Sequence, residues 1–96
     1  MRLRDELARH RTEILEAAAA SGARDVRVFG SVARGEDDRA SDVDFLVTLE
    51  PGRTLLDLMR LEVRLEAIVG RHVDVVTEGS LQAPVRVAAL REAVSV

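Results

Sequence analysis

The sequence predicts an α+β fold in which a small mixed β-sheet carries its helices on one face, in the element order α-β-β-α-β-α. Three observations lead there. Two long segments repeat apolar residues at steps close to 3.6, the period of a helix with one buried face. Three short β-branched runs, "VRVFG", "DVDFLVTL" and "VDVVT", lie between and after them. The chain has 96 residues, 47% of them hydrophobic, enough for one core and too few for two. Residues 1–96 are therefore read as a single domain. So small a sheet lays its helices on one face and leaves the other partly open, where a site has room.

The first helix is expected over roughly residues 3–20. Leu3, Leu7, Ile14 and Ala18 form its stripe, with Leu15 beside them. His10 falls inside that stripe and is expected to be partly buried, without a histidine partner nearby. Gly22 in "SGAR" supplies the stop. Val26 to Gly30 reads as the first strand, and "SVARGEDDRAS" as a polar loop or a helical turn followed by a loop. Asp42 to Leu49 is the second strand, ended by Pro51 and Gly52. Thr54 then caps a helix, with Asp57 three positions on in a capping-box pattern. Leu55, Leu58, Leu61, Leu65 and Ile68 are its apolar stripe, and Gly70 closes it. Val73 to Thr77 is the third strand. Pro84 suits the first turn of a last helix, whose apolar positions are Val87, Leu90 and Val94.

Composition excludes several functions. A net charge of −3 argues against broad binding to nucleic acid, which favours basic surfaces. There is no cysteine, so disulfides and thiolate metal sites are excluded. The N-terminal "MRLRDELARHRTEIL" carries charge throughout and lacks the apolar segment of a signal peptide. No apolar run reaches membrane-spanning length. The expectation is a cytoplasmic protein without membrane association. All 14 basic residues are arginine, which reflects base composition more than function.

The chemistry concentrates in "VFGSVARGEDDRASDVDFLV", Val28 to Val47. Residues two apart on a strand share a side, so Asp42 and Asp44 project together. Two carboxylates without a nearby lysine repel each other, and a divalent cation relieves that repulsion; carboxylate oxygens suit Mg²⁺ or Mn²⁺. Asp74, between valines on the third strand, is placed to aim at the same point. Before the pair, Gly30 lets backbone approach a ligand, Ser31 offers a hydroxyl and an N–H, and Arg34 has the reach to meet a phosphate. The loop is not a Walker A motif, because the chain has no lysine. Taken singly these features are ordinary: Gly-Ser is often a plain turn, and Asp-x-Asp often a solvated strand end. Glu36, Asp37 and Asp38 read as a solvated loop tip.

Together they form a pattern: Gly30-Ser31, ten residues, Asp42-x-Asp44, and a later acid at Asp74. This resembles the signature of the minimal nucleotidyltransferases of the DNA polymerase β-like superfamily. Ala33-Arg34-Gly35 and Ser41 agree with that family's common form, and the resemblance covers nearly the whole chain. It implies a nucleotidyltransferase-like fold and a Mg²⁺-dependent enzyme that transfers AMP from ATP and releases pyrophosphate. Asp42, Asp44 and Asp74 would be catalytic and hold the metal, as two Mg²⁺ ions with Mn²⁺ as the alternative. Gly30, Ser31 and Arg34 would bind the nucleotide, and Asp74 would help activate the acceptor hydroxyl. It further implies an antitoxin that modifies a tyrosine of a HEPN-domain toxin and forms a hetero-oligomer with it. Two other readings stand beside this one. The fold is also suited to neutralising a partner by contact alone, or to modifying a small molecule, although larger relatives use a further domain for acceptors of that kind.

Overall fold

The computed structural model describes residues 3–36 and 42–96. In chain order they form α1 (Leu3–Arg9), α2 (Arg11–Ala20), β1 (Ala23–Phe29), α3 (Ser31–Arg34), β2 (Val43–Leu49), α4 (Leu55–Val69), β3 (Val73–Thr77), a 3₁₀ turn (Glu78–Ser80), α5 (Ala83–Glu92) and β4 (Val94–Ser95). The strands make one mixed sheet in the order β3-β2-β1-β4. β2 pairs in parallel with β3 and antiparallel with β1, and β4 pairs antiparallel with β1. A parallel neighbour requires a crossover, and α4 provides it between β2 and β3.

Alternation along the strands sorts the sheet into two faces. Val28, Val43, Phe45, Val47, Val73 and Val75 are buried on one face against Leu3, Leu7, Ile14, Leu58, Leu61 and Leu65 from the helices. That cluster is the core. The other face carries Arg27, Phe29, Asp44, Leu46 and Asp74, and α5 packs against β1. Leu46 is fully buried there, while Asp74 stays exposed.

Helix ends follow their local chemistry. Thr54 is extended (φ −125°, ψ 174°) and caps α4; its backbone N–H donates to Asp57 Oδ2 at 2.8 Å, and the reciprocal half of the capping box is also made. Gly22 and Gly70 follow α2 and α4 with φ of 72° and 76°, as their positions in the sequence suggest.

The structure corrects five readings. The first helix breaks at His10, whose N–H is shared between the Glu6 and Leu7 carbonyls (3.2 and 3.1 Å). The break turns His10 outward: it is exposed, with Nδ1 3.2 Å from Glu13 Oε1. β1 begins three residues earlier than expected, because a register shift at Asp25 (φ 52°) lets the strand continue toward Ala23. Leu55 is exposed; it is the first residue of α4, whose buried stripe starts at Leu58. On α5 the expected apolar positions Val87 and Leu90 are exposed and Val94 belongs to β4; Ala89 is the buried residue. Apolar residues lie on every side of "APVRVAALRE", so its period does not select a face.

The Asp57 carboxylate sits well below the usual range because it accepts the Thr54 N–H, with Arg53 adding to the effect. A group whose folded-state pKa is depressed stabilises the fold above its unfolded value and loses that contribution as pH falls through the folded one. Asp57→Asn is therefore expected to be less stable than the parent at pH 7. The difference should fade as the pH falls below the ordinary aspartate value of about 3.9. Urea unfolding of both proteins across this range checks it.

Candidate active site

The site begins where β1 ends. After Phe29 the backbone turns through Gly30 at φ 74° and ψ −150°, a region L side chains rarely adopt. A Cβ at Gly30 would also stand 2.7 Å from Asp44 Oδ2. Two separate constraints therefore demand glycine, and the second arises because backbone and carboxylate share one small space. Ser31 then opens the four-residue α3, which the left-handed Gly35 (φ 72°) closes.

β2 carries the first carboxylates. Val43 N–H donates to the His72 carbonyl at 3.0 Å, which fixes the start of β2 against the start of β3. From that register Asp44 pairs with Asp74 on one side and with Phe29 on the other. Asp42 lies just before the strand and is exposed, whereas Asp44 is half-buried. Asp42, His72 and Asp74 each offer one ligand atom, and those atoms lie within 4.8 Å of one another. Asp44 stands outside that trio but feels it electrically. Burial, then the charges of Asp74 and Asp42, push its carboxyl above the usual range; Arg34 and His72 pull the other way.

A second ring of groups surrounds these acids. His72 Nε2 lies 3.3 Å from Asp74 Oδ1, and its Nδ1 lies 3.7 Å from Glu66 Oε2. Burial lowers the His72 pKa, but Asp74, Asp42 and Glu66 outweigh it and the net shift is upward. Glu62 on α4 is raised by burial and by the charges of Asp74 and Glu66, while a hydrogen bond with the Val75 backbone opposes the shift. Arg34 turns to two carboxylates: Nε donates to Glu36 Oε2 at 2.9 Å and Nη1 to Glu92 Oε1 at 2.8 Å. These bonds raise its pKa further.

The geometry thus brings Gly30, Asp42, Asp44 and Asp74 to one end of the sheet, with Ser31 next in the chain, and ties Arg34 to α5. Asp37, Asp38 and Ser41 lie outside the described residues. Sequence reasoning missed His72, Glu66 and Glu62. For His72 the signal was present, since it stands two residues before Asp74 in "RHVDV".

A family model described as "Nucleotidyltransferase domain" matches residues 7–96. The protein adenylyltransferase MntA of Thermococcus cleftensis is 42% identical over 90 residues, covering 94% of this chain and 88% of that one. A provisionally named protein adenylyltransferase of Methanocaldococcus jannaschii is 43% identical over 75 residues, covering 78% of this chain and 81% of its own. Among solved structures, one provisionally described as a minimal nucleotidyltransferase superposes with a TM-score of 0.85 at 48% identity, covering 100% of this chain and 97% of the other. A toxin–antitoxin structure with AMP-PNP shares the fold at a TM-score of 0.75 and 19% identity, covering 88% and 69%.

A carboxyl whose folded-state pKa is raised favours folding fully below its unfolded value and loses that favour as pH rises through the folded one. Asp44→Asn removes the charge and keeps the shape. In metal-free buffer it should melt higher than the parent at pH 7, with the gain vanishing below about pH 4, near the ordinary aspartate pKa. Thermal unfolding followed by circular dichroism at both pH values checks this.

Proposed function

This chain belongs to the nucleotidyltransferase-domain family, and from that premise we propose that it is a Mg²⁺-dependent protein adenylyltransferase, which transfers AMP from ATP to a tyrosine hydroxyl of a HEPN-domain toxin and so acts as an antitoxin. The observation that carries this reading is the gathering of Asp42 and Asp74, with Asp44 paired to Asp74 across the strands and set against the tight turn at Gly30. The names of its relatives support protein adenylylation. The chain contains no tyrosine, so a tyrosine acceptor must belong to another molecule.

The donor set fits the metal. Three carboxylates in one region without a lysine, one of them with its pKa raised by burial and then by the charges of the other two, are a site that a divalent cation relieves. Asp42, Asp44 and Asp74 would hold it. When bound, such an ion neutralises phosphate charge and acts as a Lewis acid at the transferring group. The chain's own residues supply the rest. The absence of a side chain at Gly30 lets phosphate oxygens approach the backbone, and Ser31 adds a hydroxyl and an N–H. Arg34 either leaves Glu36 and Glu92 to meet a phosphate or keeps the loop in place through them. The acceptor oxygen attacks the α-phosphorus, the bond to the pyrophosphate oxygen breaks, and the acceptor proton passes to Asp74.

A second reading is neutralisation by contact alone. It is favoured by the exposed Leu55, Leu56, Met59 and Val63 on α4 and Val85, Val87 and Leu90 on α5. One experiment separates the two: incubate the protein with labelled ATP, Mg²⁺ and a candidate HEPN-domain toxin, such as one encoded by a neighbouring gene, and weigh the toxin. Added AMP, singly or as a short run, is expected. A neutralised toxin of unchanged mass would favour the contact reading.

Asp42→Asn with Asp44→Asn should abolish Mg-ATP binding in calorimetry while the protein stays folded. Asp74→Asn should behave differently. It should keep most of the Mg-ATP affinity and lose about a hundredfold or more in transfer rate, the scale of a general base. Joint loss of binding and transfer would make Asp74 chiefly a metal ligand.

A further inference from the structure

We propose that His72 is a nitrogen ligand of the metal site and biases it toward Mn²⁺ over Mg²⁺. The inference rests on the metal-dependent reading given above and extends it to a residue that the sequence motif does not contain.

His72 directs Nε2 into the acidic group. That atom is 3.3 Å from Asp74 Oδ1, and one ring nitrogen of His72 and one carboxylate oxygen each of Asp42 and Asp74 fall within 4.8 Å of one another. Nδ1 faces away from the group, 3.7 Å from Glu66 Oε2. A histidine that binds metal through one nitrogen commonly presents the other to a carboxylate, which fixes its tautomer and its ring plane. Glu66 on α4 stands in that place. The backbone holds the arrangement from the other side, since the His72 carbonyl accepts the Val43 N–H at 3.0 Å and keeps the ring beside Asp42.

The donor chemistry then sets the preference. Mg²⁺ takes oxygen ligands and keeps its waters, whereas imidazole nitrogen strengthens binding of transition ions. A nitrogen donor added to the carboxylates therefore favours Mn²⁺ over Mg²⁺ more than an all-carboxylate set does.

The test uses Mn²⁺ alone as the probe, with Mg²⁺ as competitor, on the full chain. His72 is exposed, so His72→Asn is expected to fold. Pulsed electron paramagnetic resonance of bound Mn²⁺ should show a directly coordinated ¹⁴N in the parent and none in His72→Asn. The Mn²⁺ affinity of the variant should fall at least about tenfold, since even the loss of a group that only orients a ligand costs about 10–100-fold. Its Mg²⁺ affinity should change far less. Mn²⁺ bound in the parent without nitrogen coupling, or an unchanged Mn²⁺ to Mg²⁺ ratio in His72→Asn, would overturn the assignment and leave His72 as a charge partner of Asp74. Those results leave the metal site itself standing. Equal Mn²⁺ binding by the parent and by Asp42→Asn with Asp44→Asn would instead remove the metal reading and this inference with it.

Discussion

The in-register parallel pairing of Asp44 with Asp74 is the constraint on which the structure turns. It sets two carboxylates side by side on neighbouring strands, and Asp42 adds a third next to them. Like charges about 5 Å apart near a protein surface repel by at most about 3 kcal/mol. The other side of the same strands offsets this. Val43, Phe45, Val47, Val73 and Val75 are buried there, and each such side chain contributes about 1.5–3 kcal/mol. The two faces of β2 and β3 thus have opposite tasks. One supplies the stability, and the other holds the charges in a register that stability makes rigid. Asp44 shows the tension directly, since burial and its neighbours raise its pKa.

The remaining parts of the site follow from that pairing. Gly30 must be glycine because its backbone lies at φ 74°, and any Cβ there would also displace the Asp44 carboxylate. α4 must cross over the sheet because β2 and β3 run parallel. In crossing, it brings Glu62 and Glu66 to the rim of the acidic group, where Glu66 meets His72. Arg34 answers the same accumulation of negative charge from the loop side. It joins Glu36 and Glu92, so the turn after β1 and the last helix are linked.

Much of this is legible in the sequence where a local rule suffices. Period-two alternation places Val43, Phe45 and Val47 opposite Asp44, and the Thr54–Asp57 spacing marks the start of α4. The glycines at 22 and 70 mark where α2 and α4 stop. What escapes depends on contacts distant in the chain. The break at His10 gives no local sign, because Leu3, Leu7, Ile14 and Ala18 remain buried on either side of it. β4 is two residues long and exists only because β1 is beside it. The face α5 buries is set by β1, and its own sequence carries no stripe. At the site the motif residues Asp42, Asp44 and Asp74 stand out, but the role of Glu66 needs the crossover helix to be in place.

One consequence of Glu62 concerns how the molecule meets others of its kind. β3 is an outer strand, and an outer strand offers unpaired amides to any extended chain that drifts past. The Glu62 carboxylate already engages the Val75 amide on that strand. An incoming chain would have to displace a carboxylate and then lie against Asp74, His72 and Glu66. At the opposite rim, β4 and the Val96 N–H to the Val26 carbonyl bond (3.2 Å) occupy part of β1. Both margins of the sheet are thus blunted, one by acidic side chains and the other by a strand only two residues long, the two devices that disfavour edge-to-edge pairing.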